Sequence, residues 1–335
     1  SPGFMCNPPD RLDGFHDYGL CCRKNLDPGR SDENLRSYLH DRRAFKWWTE
    51  GDWHLADALY NSAGPGKCTE CDKEVDKVSP DHVGPLSCGF KQIPFFVPMC
   101  RECNSSKNRR FSYDDIQKLI EYERVNNESV ASWQVRTLWD ICKNRITDDL
   151  QAKELSNLMR SVQDYYLRVL YELLNNKMSA FLSYFISPEY AYYKISFSGL
   201  DSSKLSFDSY KKVVNITKGK KSLAARIIRI AFQELEQYNN KETERKLVKI
   251  ERDTWQSDLN KIINISKKFE GDEDVLRWDE IIRNNNLSIK EKEMCIFKFI
   301  DDEKYYEYRE KYTELEKALV THFTEICKQV SELLE

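Results

Sequence analysis

Beyond residue 104, apolar side chains recur at three- and four-residue spacing over charged faces for most of the chain. That period matches the 3.6-residue turn of an amphipathic helix. It predicts helices over Tyr113 to Val125, Ser129 to Arg145, Ala152 to Asn175, Leu223 to Tyr238, Lys241 to Phe269 and Glu303 to Leu334. The last two are long and alternate in charge, but their heptads are irregular, so bundling within the chain is expected. Tyr190 to Phe197, YAYYKISF, is the one clear strand, bounded by Pro188 and Gly199. Before residue 67 the pattern is broken. Leu35, Tyr38, Leu39, Phe45, Trp47, Trp48, Trp53, Leu55 and Leu59 mark a helical segment whose tryptophans are expected to pack as a small core.

A length of 335 residues suits two or three domains with ample material for buried cores. Three stretches are expected: 1–66, an aromatic and basic segment; 67–125, a compact module; and 126–335, mostly helical. Net charge is −3, yet Lys204 to Arg229 holds Lys204, Lys211, Lys212, Lys218, Lys220, Lys221, Arg226 and Arg229 against Asp208 alone. Such a patch suits phosphates, since each one neutralised releases counterions; a solvated lysine face is the alternative. Arg36, Arg42, Arg43 and Lys46, set among the early aromatics, offer a second basic strip.

No apolar run approaches membrane-spanning length, and the chain opens without a signal-peptide core, so no membrane partner is expected. Of eleven cysteines, seven are scattered without a framework, which points to a reducing compartment. A cytoplasmic location, in a prokaryotic cell, is expected. His16, Cys21 and Cys22 are a weak second metal candidate, because adjacent cysteines make poor tetrahedral partners.

The chemistry concentrates in CTECDKEVDKVSPDHVGPLSCGFKQIPFFVPMCRECNSSKNRR, Cys68 to Arg110. Cys68/Cys71 and Cys100/Cys103 are two CxxC pairs, each a tight turn that sets two sulfurs on one side. Together they make one structural Zn²⁺ site. Four sulfurs close the coordination shell, so catalysis falls to the residues the zinc holds in place.

Those residues are Asp81 and His82, between the pairs, and Asn104, directly after the last cysteine. In that order and frame they resemble the active site of an HNH nuclease, a ββα-metal module. The strands are expected at Val78 to Leu86 and Phe95 to Met99, and the helix at Asn104 to Lys118. Asp81 and Asn104 offer hard oxygens that suit Mg²⁺ or Mn²⁺, and His82 is the expected general base. Phe95 stands where the HNH pattern has an asparagine, which bears on how the loop carrying His82 is braced. The expected fold class is therefore mainly α with a small α+β, zinc-stapled HNH module.

A narrower resemblance adds the flanks. CNPPDRLDGFHDYGLCCRKNLDPGRSDENLRSYLHDRRAFKWWTEGDW, DHVGPLSCGF and PMCRECNSSKNRR resemble the nuclease part of BsaI-like and BsmBI-like Type IIS restriction endonucleases over about the first 115 residues. The resemblance implies a Type II site-specific deoxyribonuclease acting on double-stranded DNA. It makes Asp81 and Asn104 the metal ligands and His82 the base. It also implies that this chain is the C-terminal part of a longer enzyme, lacking much of the specificity region. Lys107, Arg109 and Arg110 beside the site, and Lys218, Lys220 and Lys221 in the patch, are the expected DNA contacts. Cutting both strands with one site per chain calls for a second copy or sequential nicking. A modification-dependent or nicking HNH enzyme, and a non-catalytic zinc module, remain the alternatives.

Overall fold

The computed structural model describes residues 49–107, 110–185, 193–241, 253–284, 286–301 and 310–334. The chain falls into two compact units. One gathers Thr49–Gln163, Tyr192–Ile216 and Cys327–Glu335; the other contains Asp164–Ala191 and Thr217–Ile326. The described residues are mainly helical with a small β component, and among them no helix is long and apolar enough to cross a membrane.

In the first unit, helix α1 (Trp53–Asn61) starts where the Asp52 carboxylate accepts the Leu55 N–H at 3.0 Å. Short strands β1 (Gly66–Lys67) and β2 (Glu74–Val75) pair antiparallel around the first CxxC. Strands β3 (Ser79–His82) and β4 (Phe96–Met99) form a second antiparallel pair, with Asp81 opposite Val97 and His82 opposite Phe96. Helix α2 (Arg101–Lys107) follows β4 directly.

The single helix expected over Asn104 to Lys118 is broken. A new helix, α3 (Tyr113–Asn126), begins after Ser112, whose hydroxyl accepts the Asp115 N–H while the Asp115 carboxylate accepts the Ser112 N–H. This reciprocal cap satisfies the free amides of a fresh N-terminus, so the chain can stop and restart within a few residues. Helix α4 (Trp133–Cys142) and the first half of α5 (Asp149–Asn175) follow. Between them and the hairpin, buried Phe90 meets Phe111 and Trp139 edge-on.

The strand expected at Tyr190 to Phe197 is β5 (Tyr193–Ser198), and Tyr190 lies outside the described residues. Its partner, β6 (Ser209–Val214), carries Lys211 and Lys212 and gave no apolar alternation to announce it. Phe197 and Phe207 pack this hairpin on a core of Ala56, Leu59, Val78, Phe96 and Leu205. Lys212 pairs with Asp52 at 2.9 Å. A segment over a hundred positions downstream thus buttresses both α1 and the strands carrying Asp81 and His82.

The second unit holds the rest of α5, then α6 (Ser179–Phe185), α7 (Lys218–Lys241), α8 (Asp253–Ser266), α9 (Glu273–Arg283), α10 (Ile289–Ile300) and α11 (Thr313–Ser331) as far as Ile326. Trp278 stacks on Phe299 at 4.8 Å and lies near Phe232, while Tyr312 sits against Phe181 and Phe269. The last two expected helices are realised in part, as α8 and α11; residues 242–252 and 302–309 lie outside the described residues.

Candidate active site

The cysteine sulfurs of Cys68, Cys71, Cys100 and Cys103 all lie within 4.8 Å of one another, and those of Cys71 and Cys100 are 3.8 Å apart. Four sulfurs at about 2.3 Å from a central zinc are about 3.8 Å from each other, so the cluster has tetrahedral dimensions. The first knuckle turns through Asp72, whose φ of 60° lies in the left-handed region that aspartate tolerates better than most residues. Thr69 donates its backbone N–H to the Pro98 carbonyl at 3.0 Å, tying that knuckle to β4.

Burial alone would raise the Cys68 thiol, but backbone amides of Cys100, Cys71 and Glu70 outweigh it and bring the group down to about 6. Cys103 is pushed well up by its hydrogen bonds to the neighbouring thiols, Cys100 first. A bound cation would favour the thiolate on all four, and the donor set fits zinc.

Asp81 lies on β3, 6 % exposed, and Asn104 sits one turn into α2, its N–H bonded to the Cys100 carbonyl. The Asn104 amide nitrogen donates to Ser79 Oγ at 3.0 Å and to the Pro80 carbonyl at 3.3 Å. These bonds fasten the helix to the strand next to Asp81. With its nitrogen committed, Asn104 has its carbonyl oxygen to offer as a ligand.

Asp81 Oδ2 is 2.8 Å from Lys107 Nζ, which also lies 3.0 Å from Asp115 Oδ2. Asp81 Oδ2 and Lys107 Nζ are both buried, so their ion pair is shielded from water. Burial, only partly offset by the Lys107 ammonium, raises Asp81 to about 6. Burial works to lower Lys107, but the charges of Asp81 and Asp115 prevail and its pKa is raised. The Asp81 carboxylate and the Asn104 amide carbonyl are oxygens of the type a hard divalent cation takes, and one carboxylate oxygen already meets the Lys107 ammonium.

His82 follows on the same strand, half-buried, its ring edge-on to Phe96 with centroids 4.9 Å apart. Its Nε2 lies 2.7 Å from Oε1 of Gln92, a contact the sequence reading missed. Phe95, where the HNH pattern that the sequence resembles has an asparagine, stacks on Tyr122.

The basic residues are dispersed. Lys107 sits between two carboxylates, and Arg110 folds back to donate to the Ser106 carbonyl at 2.6 Å. A cleft of about 490 Å³ opens there, lined by Ser106, Lys107, Arg110, Asp115, Asp149 and Lys153 among others. Arg109 lies outside the described residues, as do His16, Cys21, Cys22, Arg36, Arg42, Arg43 and Lys46.

The Lys204 to Arg229 cluster is divided between the two units. Lys204 pairs with Asp201 and Lys212 with Asp52, in the first unit. In the second, Lys218, Lys220 and Lys221 open helix α7, Lys221 pairs with Asp301, and Arg229 is buried against Glu293.

A family model described as Type II restriction endonuclease (RE_Alw26IDE) matches residues 1–331. The chain belongs to this family. No curated protein and no solved structure matches it. Membership supports a nucleic-acid-cleaving enzyme with DNA as its partner. For a restriction endonuclease, the four-cysteine cluster and the polar residues fastened beside it are the obvious place to seek the chemistry.

Proposed function

We propose that this restriction endonuclease hydrolyses DNA phosphodiester bonds at an HNH, ββα-metal centre built from Asp81, His82 and Asn104, with Zn²⁺ as the structural staple. The observation that carries the reading is the pair of hydrogen bonds from Asn104 to Ser79 and Pro80, which sets the helix donor beside the strand bearing the other two residues. A plain zinc knuckle has no need for that clamp.

Asp81 and Asn104 would hold Mg²⁺ or Mn²⁺ through a carboxylate and an amide oxygen. Such an ion, when bound, supplies charge stabilisation for the phosphate and the leaving 3′ oxygen. His82 takes the proton from the attacking water, a role that suits an imidazole near neutral pH. Lys107 balances Asp81 and Asp115, Arg110 brings further positive charge after α2, and Arg109 is proposed from the sequence alone as a further phosphate contact. Lys218, Lys220 and Lys221 add phosphate contacts without reading sequence.

Asp81→Ala tests the assignment. Metal-dependent cleavage of plasmid DNA should be lost while the circular dichroism spectrum and zinc content stay as in the wild type. Cleavage at the wild-type rate by that variant overturns the reading.

The Type IIS assignment rests on the flanking motifs and has its own check. Mapped cuts should fall at fixed asymmetric offsets from one motif, and cuts scattered relative to any motif would exclude that class. A second copy is the simplest source of the second cut, and cleavage whose rate rises with enzyme concentration after DNA is saturated would show it.

A further inference from the structure

We propose that Gln92, itself held by Asp57, is the positioning residue that fixes the ring of His82 and places its proton on Nε2. The inference rests on the reading of His82 as the base.

Gln92 is 0 % exposed, an unusual place for a polar amide unless each of its groups is bonded. Its Oε1 lies 2.7 Å from His82 Nε2 and its Nε2 3.4 Å from Asp57 Oδ1. The orientation of the amide follows from chemistry. A carboxylate only accepts, so Gln92 presents its NH₂ to Asp57 and its carbonyl to His82. That carbonyl also only accepts. His82 therefore carries hydrogen on Nε2, and in the neutral ring the basic lone pair sits on Nδ1. One tautomer is selected.

The surroundings are built to hold the amide still. The Gln92 N–H donates to the Glu50 carbonyl at 2.9 Å. Gly51 adopts a φ of +115°, and a Cβ there would meet the Gln92 carbonyl oxygen at 2.4 Å. Only glycine lets the chain pass so close. Buried Asp57 lies on α1, whose Ala56 and Leu59 pack against Val78 and Phe96 from the two site strands. Sequence preceding the cysteine frame thus supplies the brace that Phe95 cannot. Gly51 and the α1 residues give the first unit's N-terminal segment a catalytic purpose beyond core formation.

The test begins with ¹⁵N spectra of the His82 ring in the full chain at a fixed pH near neutrality, assigned by comparison with His82→Ala. The wild-type ring should be the Nε2–H tautomer; an Nδ1–H ring overturns the inference without any Gln92 variant. Gln92→Leu should lose the tautomer bias. Its single-turnover cleavage should fall roughly ten- to a hundredfold, the usual cost of removing a partner that orients an active group, with DNA affinity unchanged.

The D57N/Q92E pair exchanges acid and amide while keeping an acceptor for His82. It should retain the Nε2–H ring and recover most of the lost cleavage, and it is the tautomer, which packing alone does not bias, that separates positioning from a purely structural role. Wild-type cleavage by Gln92→Leu, or no recovery in a folded D57N/Q92E chain, counts against the inference. Failure of the base reading looks different: His82→Ala would then cleave normally, whatever tautomer the ring shows.

Discussion

Among the described residues, apolar support around the four cysteines is limited to Met99 with the partly buried Val75 and Val97, whereas the helical unit buries Trp278, Phe181, Phe232, Tyr312 and Phe323 almost completely. The hairpin that carries Asp81 and His82 has strands of four residues each. So short a pair is marginal in water unless something else holds its ends. In one region a four-cysteine cluster able to hold a metal stands in for a core, and in the other apolar area does that work. The site hairpin draws on both means: Met99, at one end, packs with the cysteines, while Phe96, beside His82, packs into the apolar core of Ala56, Leu59, Val78 and Leu205.

The largest expected effect separates the two means of support. Structural zinc is worth on the order of 10 kcal/mol or more in small modules, so Cys68→Ser should unfold the segment around His82 and abolish cleavage. Most of the helical circular dichroism signal should survive. Elemental analysis of the wild type should find one zinc per chain; active protein without zinc would break the comparison at its root.

Truncation in the apolar region should do the reverse. Trp278 is fully buried, and Trp278→Ala should cost about 3–5 kcal/mol by chemical denaturation. Zinc content should stay at the wild-type level. Loss of zinc in this variant would show that the two supports are not independent.

Replacing Lys218, Lys220 and Lys221 together with alanine should weaken binding to all duplexes about equally. The dependence of affinity on salt should flatten by roughly one unit of slope per lost phosphate contact. These lysines open helix α7, where positive side chains meet the positive end of the helix dipole. The triple variant should therefore be no less stable, and an unchanged salt slope would identify an ordinary solvated face.

The smallest effect at neutral pH belongs to His322, buried against the Tyr165 hydroxyl at 3.0 Å. Burial lowers its pKa from 6.5 to about 4, slightly opposed by Asp258. Between those values the unfolded chain binds the proton and the folded one does not, so stability is full above 6.5 and declines as pH falls toward 4. Urea unfolding of wild type and His322→Gln at pH 7 and pH 5 should show the larger pH penalty in the wild type. An equal penalty would remove His322 as its source.

Much of the site was legible because its residues are tied to fixed local spacings. Two CxxC turns, a doublet between them and an asparagine one position after the last cysteine are short-range signals, and the structure brings the four sulfurs together and Asn104 against β3. Signals that depend on partners far along the chain were hidden. Gln92 looks like a loop residue until Asp57 and Gly51 close on it, and β6 is invisible among its lysines until β5 pairs with it. The break in the expected Asn104 to Lys118 helix was legible, since the apolar period itself begins at Tyr113 after the Ser112 cap; the longer helix came from the ββα resemblance. The basic run from Lys204 to Arg229 reads as one patch on paper and is divided by the fold, with Arg229 taken into an ion pair.

In the proposed mechanism His82, held in this frame, takes the proton from the attacking water. The most direct measurement is single-turnover cleavage by His82→Ala with saturating Mg²⁺ on DNA that it binds with wild-type affinity. Loss of a general base should lower the rate by roughly 10²- to 10⁴-fold with binding intact, whereas full cleavage by that variant would contradict the account.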